Sequence, residues 1–284
     1  LPASTSAKRR LAASVLVWPQ LPGYEIISIL GTGGMGIVYQ AKQRDLNRIV
    51  ALKMIRGAAL EDPETRERFQ TEAEAVAKLQ HPNIIQVFEV GTVTSTTIEG
   101  QQCPYLALEY VDGGSLEERT CTPQAPKFAA SIVEKLARAS HAAHCVGVIH
   151  RDLKPANVLL TTADEPKIAD FGIAKHIDEN DTQRRRVTQQ GMLVGTPEYM
   201  APEQIENKPA TPAIDIYALG VILYELLTAT VPFQADTTVK TLELVLKHQP
   251  TAPRLLQPGL TRDLETICLK CLQKFPERRY ATAD

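Results

Sequence analysis

Apolar positions along the 284-residue chain change period near residue 110. From Tyr24 to about Tyr110 they mostly alternate, which predicts strands, with one helix over about 63–80. From about Ser115 onward they recur at the helical period, which predicts helices over 125–146, 213–228 and 261–273. A β-rich part followed by an α-rich part predicts an α+β chain of two lobes, joined at the polar Asp112-Gly113-Gly114-Ser115. The apolar run at 218–227 has about half the roughly 20 residues needed to span a bilayer, so it reads as a buried helix.

Within that frame, two charges point inward. In RIVALKMI, 48–55, one face carries Val50, Leu52 and Met54; the other carries Ile49, Ala51, Lys53 and Ile55, so Lys53 projects among apolar residues. The following helical stretch sets Phe69, Glu72, Val76 and Leu79 on one stripe, which turns Glu72 inward as well. Opposite charges placed this way satisfy each other, either as a structural ion pair or with Glu72 holding Lys53 upright for a phosphate.

The stretch GTGGMG, 31–36, supplies a candidate phosphate site: Gly31, Thr32, Gly33, Gly34 and Gly36. A dinucleotide-binding turn or a Walker loop would open a helix here. Instead Ile37, Val38 and Tyr39 continue as a strand, followed by a polar turn near 44–47. The glycines therefore sit at a hairpin tip. It either turns without a ligand or lies over a nucleotide, with its N–H groups on phosphates and Val38 on the base.

Chemistry concentrates in VIHRDLKPANVLLTTADEPKIADFG, 148–172. Residues 157–160 and 167–170 read as short strands around a polar turn, and pairing Leu160 with Lys167 sets Asn157 opposite Asp170. A carboxylate facing an amide oxygen suits Mg²⁺, a hard cation that keeps phosphate oxygens as further ligands. Asp152 lies on the approach, a candidate to orient a hydroxyl nucleophile and accept its proton, and Lys154 is a candidate to neutralise charge on a moving phosphoryl group.

Composition changes this picture little. A net charge of -2 with 23% charged residues gives no footprint for a nucleic-acid partner. Five cysteines, odd in number and irregularly spaced, indicate a reducing, cytoplasmic setting. Cys268 and Cys271 share a helical apolar pattern and read as buried thiols, and His141, His144 and Cys145 lie on a helix without a further ligand cluster. Because the sequence opens at Leu1, it reads as a piece of a longer parent, with residues 1–20 a flexible linker and any membrane anchor elsewhere.

Taken together, these motifs, in this order over about 24–283, resemble a eukaryotic-like (Hanks-type) bacterial serine/threonine protein kinase catalytic domain. The resemblance implies a bilobal fold, with an N-lobe of about 21–110, a hinge of about 109–115 and a C-lobe of about 115–284. It implies a phosphate loop of Gly31, Gly33 and Gly36, the Lys53–Glu72 pair, and a catalytic loop of His150, Arg151 and Asp152 with Lys154 and Asn157. It also implies Asp170 as the magnesium aspartate of Asp170-Phe171-Gly172, and a segment closing in GTPEYMAPE, 195–203. Adenine is expected between Val38, Ala51 and Leu159, bonded to backbone at Glu109 and Val111, with Leu108 behind it. Asp215, Glu203 and Arg279 match structural positions, while Ser115 stands where many relatives place an acid for the ribose. The implied cofactors are ATP and Mg²⁺, with Mn²⁺ as an alternative.

The implied partners are Ser/Thr-bearing proteins and a transient second copy for trans-autophosphorylation, with no membrane contact in this piece. Arg151 and Lys175 form an expected anion pocket, Thr188 its expected phosphosite, and Thr196 the substrate-facing threonine. A nucleotide-binding pseudokinase is the alternative, and a dinucleotide oxidoreductase is disfavoured by the strand after Gly36. Residues 92–104 are expected to form an extended loop, and the terminal helix to stop short.

Overall fold

The computed structural model describes residues 19–33, 36–55, 71, 73–94, 102–171 and 196–284. Five strands form one antiparallel sheet in the order β1-β2-β3-β5-β4: β1 Tyr24–Gly33, β2 Gly36–Gln43, β3 Arg48–Ile55, β4 Val87–Thr94 and β5 Gln102–Glu109. Alternation decides which side chains each face receives. Tyr39 opposes Leu52 and Ala41 opposes Val50, and these four join Leu21, Tyr24, Tyr105 and Ala107 in a closed core on the outer face. The stretch 92–104 is therefore not one loop: it supplies the end of β4 and the start of β5, and the residues between them lie outside those described. Of the helix expected over 63–80, residues 71 and 73–77 are described and helical.

The inner face of the sheet belongs to a second, larger core. Ile55, Val87 and Leu106 pack in it with Val76 and Leu79, and it continues through Ile168 and Phe171 into the helical lobe. There α1 (Pro126–Cys145) buries Ala129, Ile132, Leu136, Ala139 and Ala143 at i+3/i+4 spacing against α3 (Ala213–Thr228), which is buried on nearly all sides. Before α3 lies the one-turn α2 (Pro202–Ile205), and after it α4 (Thr238–Lys247), the one-turn α5 (Pro253–Leu256) and α6 (Arg262–Cys271). Thr237 and Thr261 cap α4 and α6 by accepting from the N–H groups of Lys240 and Leu264. Cys268 and Cys271 are buried against α3, and Gly220 is required there because a Cβ would stand 2.5 Å from that of Cys271. No helix among the described residues is long and apolar enough to cross a membrane.

Between the lobes lies the small hairpin of β6 (Val158–Leu160) and β7 (Pro166–Ile168). Its register differs from the expected one by a residue: Leu160 pairs with Pro166 and Val158 with Ile168, so Asn157 stands opposite Ala169, whose N–H it accepts at 2.8 Å. The strands are shorter than the apolar pattern suggests because Pro155–Asn157 forms a 3-10 turn before β6. The joint closes onto this hairpin: the Gly113 N–H donates to the Leu160 carbonyl at 2.9 Å and Leu160 N–H to the Gly114 carbonyl at 2.9 Å. Glycine is needed at 113, where a Cβ would lie 2.4 Å from that carbonyl oxygen.

Candidate active site

The inner face of the sheet forms the roof of a cleft. Val38 opposes Lys53, Lys53 opposes Leu106, and Ala51 opposes Leu108, so these side chains share one face. Gly31, Thr32 and Gly33 end β1 beside Gly36, and among the described residues nothing lies within 4 Å of where a Cβ would stand on Gly31 or Gly33. Open space over a glycine-tipped hairpin is what an incoming anion requires, although Gly34 itself lies outside the described residues. On the floor, Leu159 is half-buried between the fully buried Val158 and Leu160 and so faces away from them. Ser115 pairs with it in a single bridge.

At the joint, Glu109 ends β5 and its N–H donates to the Gln86 carbonyl, with half-buried Val111 just beyond. The Glu109 carboxylate makes an ion pair with Lys167 of β7 at 2.8 Å, a tie between hinge and hairpin that the sequence pattern did not reveal. Its two ends come from different strands of different sheets, so no local period marks them.

Lys53 reaches down from β3 and places Nζ 2.6 Å from Asp170 Oδ1. The two differ sharply in exposure, 11% for the lysine side chain against 44% for the aspartate, which leaves the carboxylate open to the cleft. Asp170 achieves this despite the shifted register because its own backbone is left-handed, with φ 55°, just after β7 ends. That conformation costs a non-glycine residue about 1–3 kcal/mol and persists only where surrounding structure imposes it. Glu72, the expected partner of Lys53, lies outside the described residues, and among those described the lysine is held by Asp170.

Asp152, Lys154 and Asn157 form one bonded group. The Asn157 Nδ2 donates to the Asp152 carbonyl at 2.8 Å and to its Oδ2 at 3.2 Å. Lys154 Nζ lies 3.3 Å from the same Oδ2 and donates to Thr196 Oγ1 at 3.1 Å. The carboxylate is thus oriented from two sides, and Thr196 is brought from 42 residues away to the same lysine.

Beneath this group, Asp215 of α3, 1% exposed, accepts the N–H groups of His150 and Arg151, each at 2.9 Å, and His144 Nε2 lies 2.8 Å away. Arg151 has φ 65°, and Gln204 of α2 holds its carbonyl at 2.9 Å, so the left-handed turn before Asp152 is fixed from below and from the side. His150 packs its ring on Phe171 and bonds the Ala169 carbonyl at 2.8 Å, which links the loop to the segment carrying Asp170. His144, which the sequence offers only as a weak metal-ligand candidate, is instead a positioning residue on the inward stripe of α1, held against Asp215. Glu203 and Arg279 form a buried bidentate pair at 2.6 and 2.7 Å, the structural tie expected of them. Lys175 and Thr188 lie outside the described residues, so their expected anion pocket and phosphosite do too.

The profile described as Protein kinase domain matches residues 24–284. Serine/threonine-protein kinase PknB of Mycobacterium tuberculosis is 37% identical over 262 residues, covering 92% of this chain and 41% of PknB. Probable serine/threonine-protein kinase SCO3848 of Streptomyces coelicolor is 36% identical over 263 residues, covering 92% of this chain and 38% of that protein. The chain thus spans about two fifths of the length of these relatives. The chain belongs to the protein kinase family, as a Hanks-type serine/threonine kinase catalytic domain of the bacterial kind.

Proposed function

We propose that this chain transfers the γ-phosphoryl group of ATP to serine and threonine hydroxyls with Asp152 as the base. The observation that carries the reading is the bonded group Asp152–Asn157–Lys154–Thr196, set beside the Lys53–Asp170 pair. In this reading the Asp152 carboxylate, held by Asn157 and Lys154, orients the acceptor hydroxyl and takes its proton as the oxygen attacks phosphorus. Lys154, already within reach of both Asp152 and Thr196, follows the charge on the transferring group. Lys53 holds phosphate oxygens, and Val38, Ala51, Leu108 and Leu159 enclose the base next to backbone groups of Glu109 and Val111. The rate comes from positioning and preorganised charge rather than from covalent chemistry.

Asn157 and Asp170 fit a divalent cation. The Asn157 amide nitrogen is committed to Asp152, which turns its oxygen away from that contact, and the Asp170 carboxylate is the exposed member of its ion pair. Two hard oxygen donors with room for phosphate and water are what Mg²⁺ takes, and Mn²⁺ accepts the same set. When bound, the cation neutralises charge on the phosphates.

Control by phosphorylation belongs to the same reading. Thr188, following Arg184, Arg185 and Arg186, is the proposed site. Its phosphate would bring about -1.5 to -2 charge to Arg151 and Lys175 and so order the substrate platform. The deciding experiment compares the wild-type chain with Asp152→Asn, incubated with Mg²⁺ and ATP and read by mass spectrometry. The variant should keep nearly intact ATP affinity and lose about 10²-fold or more in phosphoryl transfer. Equal turnover by the two proteins would overturn the assignment, and nucleotide binding without turnover by either would favour the pseudokinase alternative.

A further inference from the structure

Lys274 lies just beyond α6, far along the chain from the catalytic group, and is held at both ends. Its Nζ donates to the Val245 carbonyl of α4 at 2.6 Å and stands 3.8 Å from the centroid of the Phe233 ring. Its own carbonyl accepts from Arg279 Nη2 at 3.1 Å, and Arg279 is the buried partner of Glu203 on α2. Both grips lead to one place. Helix α4 packs against the Pro197–Tyr199 turn and against α2, and that turn follows Thr196, the partner of Lys154. Val245 is among the last residues of α4, where carbonyls lack helical partners and a cation is favoured.

We propose that Lys274 is a positioning residue, a cationic strut that seats α4 against the 196–205 platform and thereby sets the fit of the protein phosphoacceptor without touching nucleotide handling. The inference rests on the kinase reading above and adds a residue to it. The ammonium suits this role better than an apolar side chain because it satisfies a helix-end carbonyl and an aromatic face at once. Burial, with the Arg279 charge beside it, pushes Lys274 down to about 8. The strut is thus held against a desolvation cost, as expected of a group retained for fit rather than for stability.

Lys274→Met removes the charge at similar length, and Lys274→Arg restores a cation and donor. With myelin basic protein as phosphoacceptor, the Met variant should raise KM for that protein about fivefold or more, with kcat and KM for ATP within about twofold, and the Arg variant should recover most of the loss. A Met variant with wild-type KM for the phosphoacceptor, or with KM for ATP shifted equally, overturns the proposal. Hydrogen exchange of the intact chain provides a readout independent of turnover: the Met variant should exchange faster across 238–247 and 197–205 while β1–β3 remain unchanged. Unchanged exchange in α4 would refute the strut even if the chain proved to lack transferase activity, an outcome that the wild-type assay reports separately.

Discussion

Lys53 and Asp170, 117 residues apart in the chain, meet at 2.6 Å across the cleft. A cation bound at Asp170 would therefore share that carboxylate with a lysine already in place, and both would act on the same phosphates. Asp170→Asn keeps the shape and removes the charge. It should abolish Mg²⁺-dependent nucleotide binding, seen as a loss of about tenfold or more in affinity when Mg²⁺ is titrated against a fluorescent ATP analogue. An unchanged metal dependence would remove Asp170 from the site.

Asp215 presents the opposite case, a carboxylate committed wholly to structure. Asp215→Ala would leave the buried N–H groups of His150 and Arg151 and the His144 ring without their acceptor. Losing such a hub should cost about 3–5 kcal/mol, measurable by urea unfolding. A loss below about 1 kcal/mol would show that the loop is held from elsewhere.

Thr188 is testable directly in solution. Incubation with Mg²⁺ and ATP should phosphorylate it, and Thr188→Ala should lower activity toward an added protein while sparing ATP binding. Peptide mapping that finds Thr188 unmodified in a fully active sample would refute the proposal and move the search to Thr182, which lies among Asp178, Glu179 and Asp181, or to control without phosphorylation.

Stability should carry an alkaline signature of Lys274. Its folded value, about 8, lies below its ordinary 10.5, so between those two the unfolded chain binds more protons and this group makes stability rise with pH. Below about pH 8 both states hold the proton and the contribution is constant. Tyr105 acts in the opposite sense at higher pH: burial and the Glu89 contact push its hydroxyl up to about 12, so its contribution falls once unfolded tyrosine ionises near 10. Guanidinium unfolding from pH 7 to 9, below the range where the buried Cys268 and Cys271 thiols, pushed up by burial, act in the opposite sense, should therefore show a rise in the wild type that Lys274→Met flattens. Parallel curves for the two proteins would contradict this.

Much of the candidate site was legible because the motifs of this family are short, with residues that lie within a few positions of one another. Lys53 could be read as inward from period two alone, and helix α3 from its unbroken apolar run. Asn157 opposite Asp170 could not be read correctly. Pairing two three-residue strands leaves register open by one residue, and the 3-10 turn at 155–157 and the left-handed Asp170 decide it. Long-range polar ties escaped for another reason. Glu109–Lys167, His144–Asp215 and Gln204–Arg151 each join elements 53 or more residues apart, and nothing in either partner's neighbourhood announces the other.

The division of the small sheet between two apolar compartments has a consequence for how the molecule comes apart. Among the described residues, the outer compartment is closed by residues between Leu21 and Ala107 alone, whereas the inner one runs without interruption from Ile55, Val87 and Leu106 to Ile168, Phe171 and Leu272. The two lobes are therefore not autonomous melting units: opening one uncovers oily surface on the other. Heating should give a single calorimetric peak rather than two. A fragment ending near residue 110 would retain its outer compartment but bare the opposite side of its sheet to water, and should self-associate instead of standing alone as a small β domain.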